Sequence, residues 1–97
     1  MEIYYNKQEM NGFINYVTNN MEDNGLACFI NDFKLAVFEY GFFLVNAPIE
    51  QACNLFSDLT FCHIIINNDE KSSIIDNNKC MLKNIIKNGL QKFNLHI

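Results

Sequence analysis

The sequence predicts an α+β fold: a single small domain of order β-α-β-β-β-α-β-α-β, with a mixed or antiparallel sheet covered by two to three helices. Three observations carry that expectation. Leu26–Asn46 is dense in apolar, β-branched and aromatic side chains, and it is broken only at Asn31-Asp32 and Tyr40-Gly41. At the other end, Phe93, Leu95 and Ile97 alternate with Lys92, Asn94 and His96, the period of a half-buried strand. Between and around these stretches, three segments carry helical stripes of apolar residues that would cover a sheet.

Taken in order, Glu2–Tyr5 reads as a short edge strand. Lys7–Glu22 reads as a helix, because Met10, Phe13, Ile14, Val17 and Met21 fall on one face. Asn6 is placed to cap it, with Glu9 at capping-box spacing, and Asn24-Gly25 ends it. Leu26–Ile30, Phe33–Glu39 and Phe42–Asn46 then read as a three-stranded meander, with Asn31-Asp32 as a tight hairpin. Pro48 suits the first turn of a helix that ends near Ser57-Asp58. Leu59–Ile66, apolar on both parities, reads as an interior strand, followed by a polar turn at Asn67-Asn68-Asp69-Glu70. Residues 72–78 read two ways: Ser73 and Asp76 have capping-box spacing, or Asp76 is itself the cap. Asn77–Asn88 turns Leu82, Ile85 and Ile86 inward, with Gly89 as its stop, and Lys92–Ile97 closes the order as the last strand.

Ninety-seven residues, 49% apolar and 19% charged with one Pro, describe one compact domain spanning 1–97 rather than a disordered chain. No apolar run approaches the ~20 residues that cross a bilayer, and the N-terminus has no apolar signal core. A cytoplasmic protein that does not engage a membrane is therefore expected. Asn (16), Ile (12) and Lys (7) dominate and Arg is absent, a bias that an A/T-rich coding sequence produces and that suits a phage, virus or plasmid source. The missing Arg also removes the bidentate fork used on phosphates and guanines.

Six residues invite a metal: Cys28, Cys53, Cys62, Cys80, His63 and His96. Their spacing contains no C-x-x-C and no H-x-x-x-H, so buried reduced thiols are expected instead, with no metal and no cofactor. Cys62-His63 would point to opposite faces of a strand, so His63 cannot activate its neighbour. No serine elbow or glycine-rich phosphate loop is present, and no enzyme is expected.

Charge is uneven. Residues 1–70 hold ten acids against Lys7 and Lys34, while residues 71–97 hold Asp76 against five Lys. The helix–three-strand–helix order expected over 7–57 invites comparison with the double-stranded RNA-binding domain. That fold needs cations at the start of its second helix, where this chain has Pro48, Ile49, Glu50 and Gln51, and acid there repels phosphate. Direct nucleic-acid binding is not expected. The acids themselves, Glu22, Asp23, Asp32, Glu39, Glu50, Asp58, Asp69 and Glu70, suit a basic protein groove. Lys79, Lys83 and Lys87 form a second stripe that could meet an acidic partner, and Phe42 with Phe43 is the first aromatic anchor.

The expected partner-binding residues are thus Glu22, Asp23, Glu39, Phe42, Asp69, Glu70, Lys79, Lys83 and Lys87. The expected function is a small acidic inhibitor or regulator, anti-CRISPR-like, that occludes a basic nucleic-acid-handling host protein. The alternatives are an immunity or antitoxin protein for a cognate toxin and, further off, a small metabolite-binding domain or enzyme. A homodimer through an exposed meander edge is compatible with each.

Overall fold

The structure, a computed structural model, describes residues 7–41, 47–67 and 69–93. Among them there is no strand, and the fold is all-α. Four helices follow one another: α1 (Lys7–Asp23), α2 (Ile30–Tyr40), α3 (Ile49–Asn67) and α4 (Asp69–Phe93), with a 3-10 turn at Ala27–Phe29 leading into α2.

α1 forms as its apolar spacing dictates, burying Met10, Phe13, Val17 and Met21. Its end is equally local. Gly25 sits at φ 76, a left-handed conformation that costs other residues roughly 1–2 kcal/mol. The Leu26 N–H donates to the Met21 carbonyl at 2.7 Å and the Gly25 N–H to that of Glu22 at 3.3 Å, the bond pair of a Schellman stop. Leu26 and Met21 are both buried, which supplies the apolar contact of that motif.

The meander does not exist. Asn31-Asp32, expected as a hairpin, lies inside α2, and the strands expected at Leu26–Ile30 and Phe33–Glu39 are 3-10 turn and helix. Leu26, Phe29, Phe33, Ala36 and Val37 are the buried positions, a spacing of i, i+3, i+7, i+10 and i+11 that only a helical path turns to one side. The expected interior strand Leu59–Ile66 is likewise the second half of α3, which runs past Ser57-Asp58 to Asn67. Ala52, Cys53, Phe56, Ser57, Thr60, Phe61 and Ile64 are buried in unbroken helical register. Two polar positions in that stripe are accommodated internally. The Thr60 hydroxyl donates to the Phe56 carbonyl at 2.9 Å, and Ser57 Oγ lies 3.9 Å from Cys53 Sγ. Of the polar turn expected at 67–70, Asn67 belongs to α3 and Asp69 and Glu70 to α4, while Asn68 lies outside the described residues. Glu2–Tyr5, Phe42–Asn46, the Asn6 cap and residues 94–97 lie outside the described residues, while Phe93, assigned to the last strand, ends α4.

α4 does contain the helix expected at 77–88, with Leu82, Ile85 and Ile86 buried, but it continues through Gly89. At 25 residues and 1.5 Å per residue it is about 37 Å long, matching the molecule's longest dimension of 37 Å. α3 lies antiparallel along it, since Glu50 pairs with Lys87 and Cys53 Sγ donates to the Lys83 carbonyl at 3.5 Å. α1 packs on the C-terminal part of α4 through two reciprocal notches. A Cβ on Gly12 would stand 2.5 Å from the Phe93 ring, and a Cβ on Gly89 2.9 Å from the Phe13 ring and 3.2 Å from Tyr16. Gly89 is therefore a seat for an aromatic from α1 and not a helix stop. α2 closes the core from the other side, where Phe33 meets Phe13 at 6.0 Å and Phe56 at 5.9 Å between ring centroids.

Two measurements test this packing. Gly89→Ala gains about 1 kcal/mol of helix propensity but drives a methyl into the fully buried Phe13 ring, so a net loss of roughly 1–3 kcal/mol is expected in urea unfolding. Gly12→Ala should cost clearly less, because Phe93 is only half-buried at the end of α4 and its ring can swing aside. Equal effects would contradict the notch geometry. The second measurement is stability against pH. Burial raises the Cys53 thiol above its ordinary 9.0, and the hydrogen bond and charge of Glu50 raise Lys87 above 10.5. Both groups keep their protons in the folded chain where the unfolded chain releases them, so stability is complete below about pH 9 and declines as pH rises. Cys53→Ala should be less stable throughout but should lose less stability than the parent protein between about pH 9 and 10. A profile as steep as that of the parent protein would remove the thiol from this account.

Candidate functional site

Helix geometry separates the expected partner-binding residues into those the fold itself uses and those it does not. An acid near a helix N-terminus is stabilised by the helix dipole, and a cation near a C-terminus likewise. Asp69 and Glu70 are the first residues of α4, and Glu50 stands in the first turn of α3, so the charges of Glu70 and Glu50 have a local reason. Glu50 has a second one in Lys87. Lys87 is thereby part of the α3–α4 contact. Lys79 pairs with Asp76 at 3.1 Å within α4 and lies 5.7 Å from the Phe61 ring centroid. Lys83 is half-buried, and its carbonyl receives Cys53. Of the lysine stripe, Lys87 and Lys79 reach α3 with their side chains, while Lys83 meets it through its backbone carbonyl.

Glu22, Asp23 and Glu39 are different. All three are exposed, and all stand in the last turn of their helices, α1 and α2, neither of which has a basic residue there. Like-signed charge at a helix C-terminus costs stability. Neither Glu22 nor Asp23 forms an ion pair with a described residue. The Glu39 carboxylate acts on the adjacent Tyr40, raising the phenol above its ordinary 10.0 by charge, with burial and a hydrogen bond adding to it. These acids do not form one cluster. The 3-10 link places the α1 end beside the start of α2, and Glu39 is about 13 Å further along that helix. Glu70 is at the far end of α4 from Phe93, the residue that packs on Gly12. Phe42 and Phe43 lie outside the described residues.

The structure assembles one polar pair that the sequence does not signal. Asp32 of α2 and His63 of α3 are 31 positions apart, yet Asp32 Oδ1 and His63 Nε2 approach to 4.0 Å, with side chains 12% and 20% exposed. That distance is an ion-pair limit rather than a hydrogen bond, and Nε2 is enclosed without a hydrogen-bond partner. An acid and a histidine are two-thirds of a nucleophilic triad, but among the described residues no hydroxyl or thiol bonds to this Nε2. The pair is best read as polar packing between α2 and α3.

The cysteines divide otherwise than expected. Cys53 is buried, but Cys28 and Cys62, placed by the meander reading in apolar strands, are exposed, as is Cys80. The cause is the helical path, which turns positions 28 and 62 outward. Among the described residues no group of three His, Cys, Asp or Glu side chains could hold a metal ion, and no described helix is long and apolar enough to cross a membrane.

A feature missed in the sequence is the outer face of α2. Phe38 is 88% exposed and Leu35 49%, while Phe33, Ala36 and Val37 of the same helix are buried. Once α2 is helical, spacing alone places Leu35 and Phe38 together, opposite the core. Comparison of the chain with protein-family models, with curated proteins and with solved structures finds no match.

Proposed function

We propose that the protein is a non-catalytic binding domain whose acidic α1 terminus engages a cationic surface on a protein partner. The observation that carries this reading is the position of Glu22 and Asp23. They are exposed, unpaired among the described residues and set against the dipole of their own helix, an arrangement that costs the free domain stability and is relieved by an approaching cation. Proteins that handle nucleic acids present cationic grooves of this kind. Occupying such a groove would make the chain an inhibitor of a host nucleic-acid-handling or defence system. The lack of Arg and the net charge of −4 favour a protein partner over a nucleic acid.

The test joins stability to binding. Glu22→Gln/Asp23→Asn should stabilise the free domain by roughly 0.3–1 kcal/mol at low salt, seen as a higher Tm. The same change should weaken capture of a basic protein from nuclease-treated host lysate, and capture by the parent chain should fall as salt is raised. Retention that ignores both the substitution and the salt would sink the proposal, as would a loss of stability in the variant.

A further inference from the structure

We infer that the outer face of α2 is a self-association surface, on which a second copy of this chain packs its own α2 in parallel about a two-fold axis. Leu35 and Phe38 are the exposed apolar residues of this helix, separated by three positions as the a and d positions of a coiled-coil seam are. Asn31, also exposed, falls one heptad before Phe38 on the same seam. The flanks carry opposite charges. Lys34 precedes the seam on one side and Glu39 follows it on the other, and both are exposed.

That spacing selects the partner and its direction. In a parallel pair, a residue just before the first seam position faces the residue five places on in the other helix. Lys34 of one copy therefore meets Glu39 of the other, and the two-fold axis makes this contact twice. An antiparallel pair would set Lys34 near Lys34 and Glu39 near Glu39 and would be opposed by both. The surface is thus complementary to itself in one orientation, with Phe38 on Phe38 and Leu35 on Leu35 at its centre. With 11 residues, α2 extends for only about 16 Å, so the contact belongs at the small, transient end of interfaces and the dimer should depend on concentration. It uses no residue of the α1 terminus and stands independently of the function proposed above.

Sedimentation equilibrium of the full chain, from low micromolar to about millimolar concentration, tests it. The mass average should rise from monomer toward dimer. Phe38→Ser should abolish the rise while leaving thermal unfolding by circular dichroism nearly unchanged, since the ring is in water in the single chain. Lys34→Glu and Glu39→Lys should each weaken association about fivefold or more, and the double exchange should recover most of it. A monomer at every concentration overturns the proposal, as does a dimer indifferent to Phe38→Ser. A dimer that Phe38→Ser abolishes but that the single charge changes leave unchanged or strengthen overturns the parallel arrangement.

Discussion

The ring contact of Phe33 with Phe13 on one side and Phe56 on the other is the interaction on which the rest depends. All three side chains are fully buried, and Phe13 in turn fills the space left open by Gly89. One ladder of aromatics thus touches α1, α2, α3 and α4. Burying an aromatic is worth roughly 1.5–3 kcal/mol, and edge-to-face pairing adds to it. α2 needs this most. It is shorter than the ~12–15 residues at which isolated helices become marginal in water, so tertiary burial of Phe33, Ala36 and Val37 must hold it in shape. Held from one side, it is free to present Leu35 and Phe38 on the other.

Charge follows the same division between what the fold consumes and what it leaves over. Glu50 and Lys87 tie the start of α3 to the end of α4, Asp76 and Lys79 pair within α4, and Glu70 stands where a helix start favours it. Asp32 is turned inward against His63. After these assignments and apart from Asp58 in mid-α3, the acids left over stand at two helix ends, Glu22-Asp23 and Glu39. The net charge of −4 says nothing about that selection. The helix boundaries decide it, because the same carboxylate is stabilised at one terminus and penalised at the other.

α1 was legible residue by residue because its apolar positions lie on one face and its other faces are polar, and because Asn24-Gly25 is a local stop. The stripe Leu82, Ile85, Ile86 was legible for the same reason. α2 and the second half of α3 were not. Their buried stripes are present in the sequence, but each helix also carries apolar residues outward: Leu35 and Phe38 in α2, Leu55, Ile65 and Ile66 in α3. With both faces apolar the period blurs, and β-branched and aromatic content then imitates a strand. Ser57 and Thr60 deepened the error in α3. They are polar yet buried, and Thr60 is satisfied by a carbonyl of its own helix, which makes its burial cheap only once the helix exists.

By itself, then, the sequence determined the features that close within a few residues: the α1 stripe, its glycine stop, the start of α3 beside Pro48, and the overall acidity. Each rests on backbone preference or on neighbours one helical turn apart. Only the tertiary structure decided that Leu26–Tyr40 and Leu59–Ile66 are helical, that Gly89 receives a ring instead of ending a helix, and that Asp32 meets His63. Those outcomes depend on contacts between residues tens of positions apart, whose burial outweighs local propensities of less than about 1 kcal/mol per residue. The outward face of α2 belongs to the same class, since Leu35 and Phe38 become a surface only when Phe33, Ala36 and Val37 have been claimed by the core.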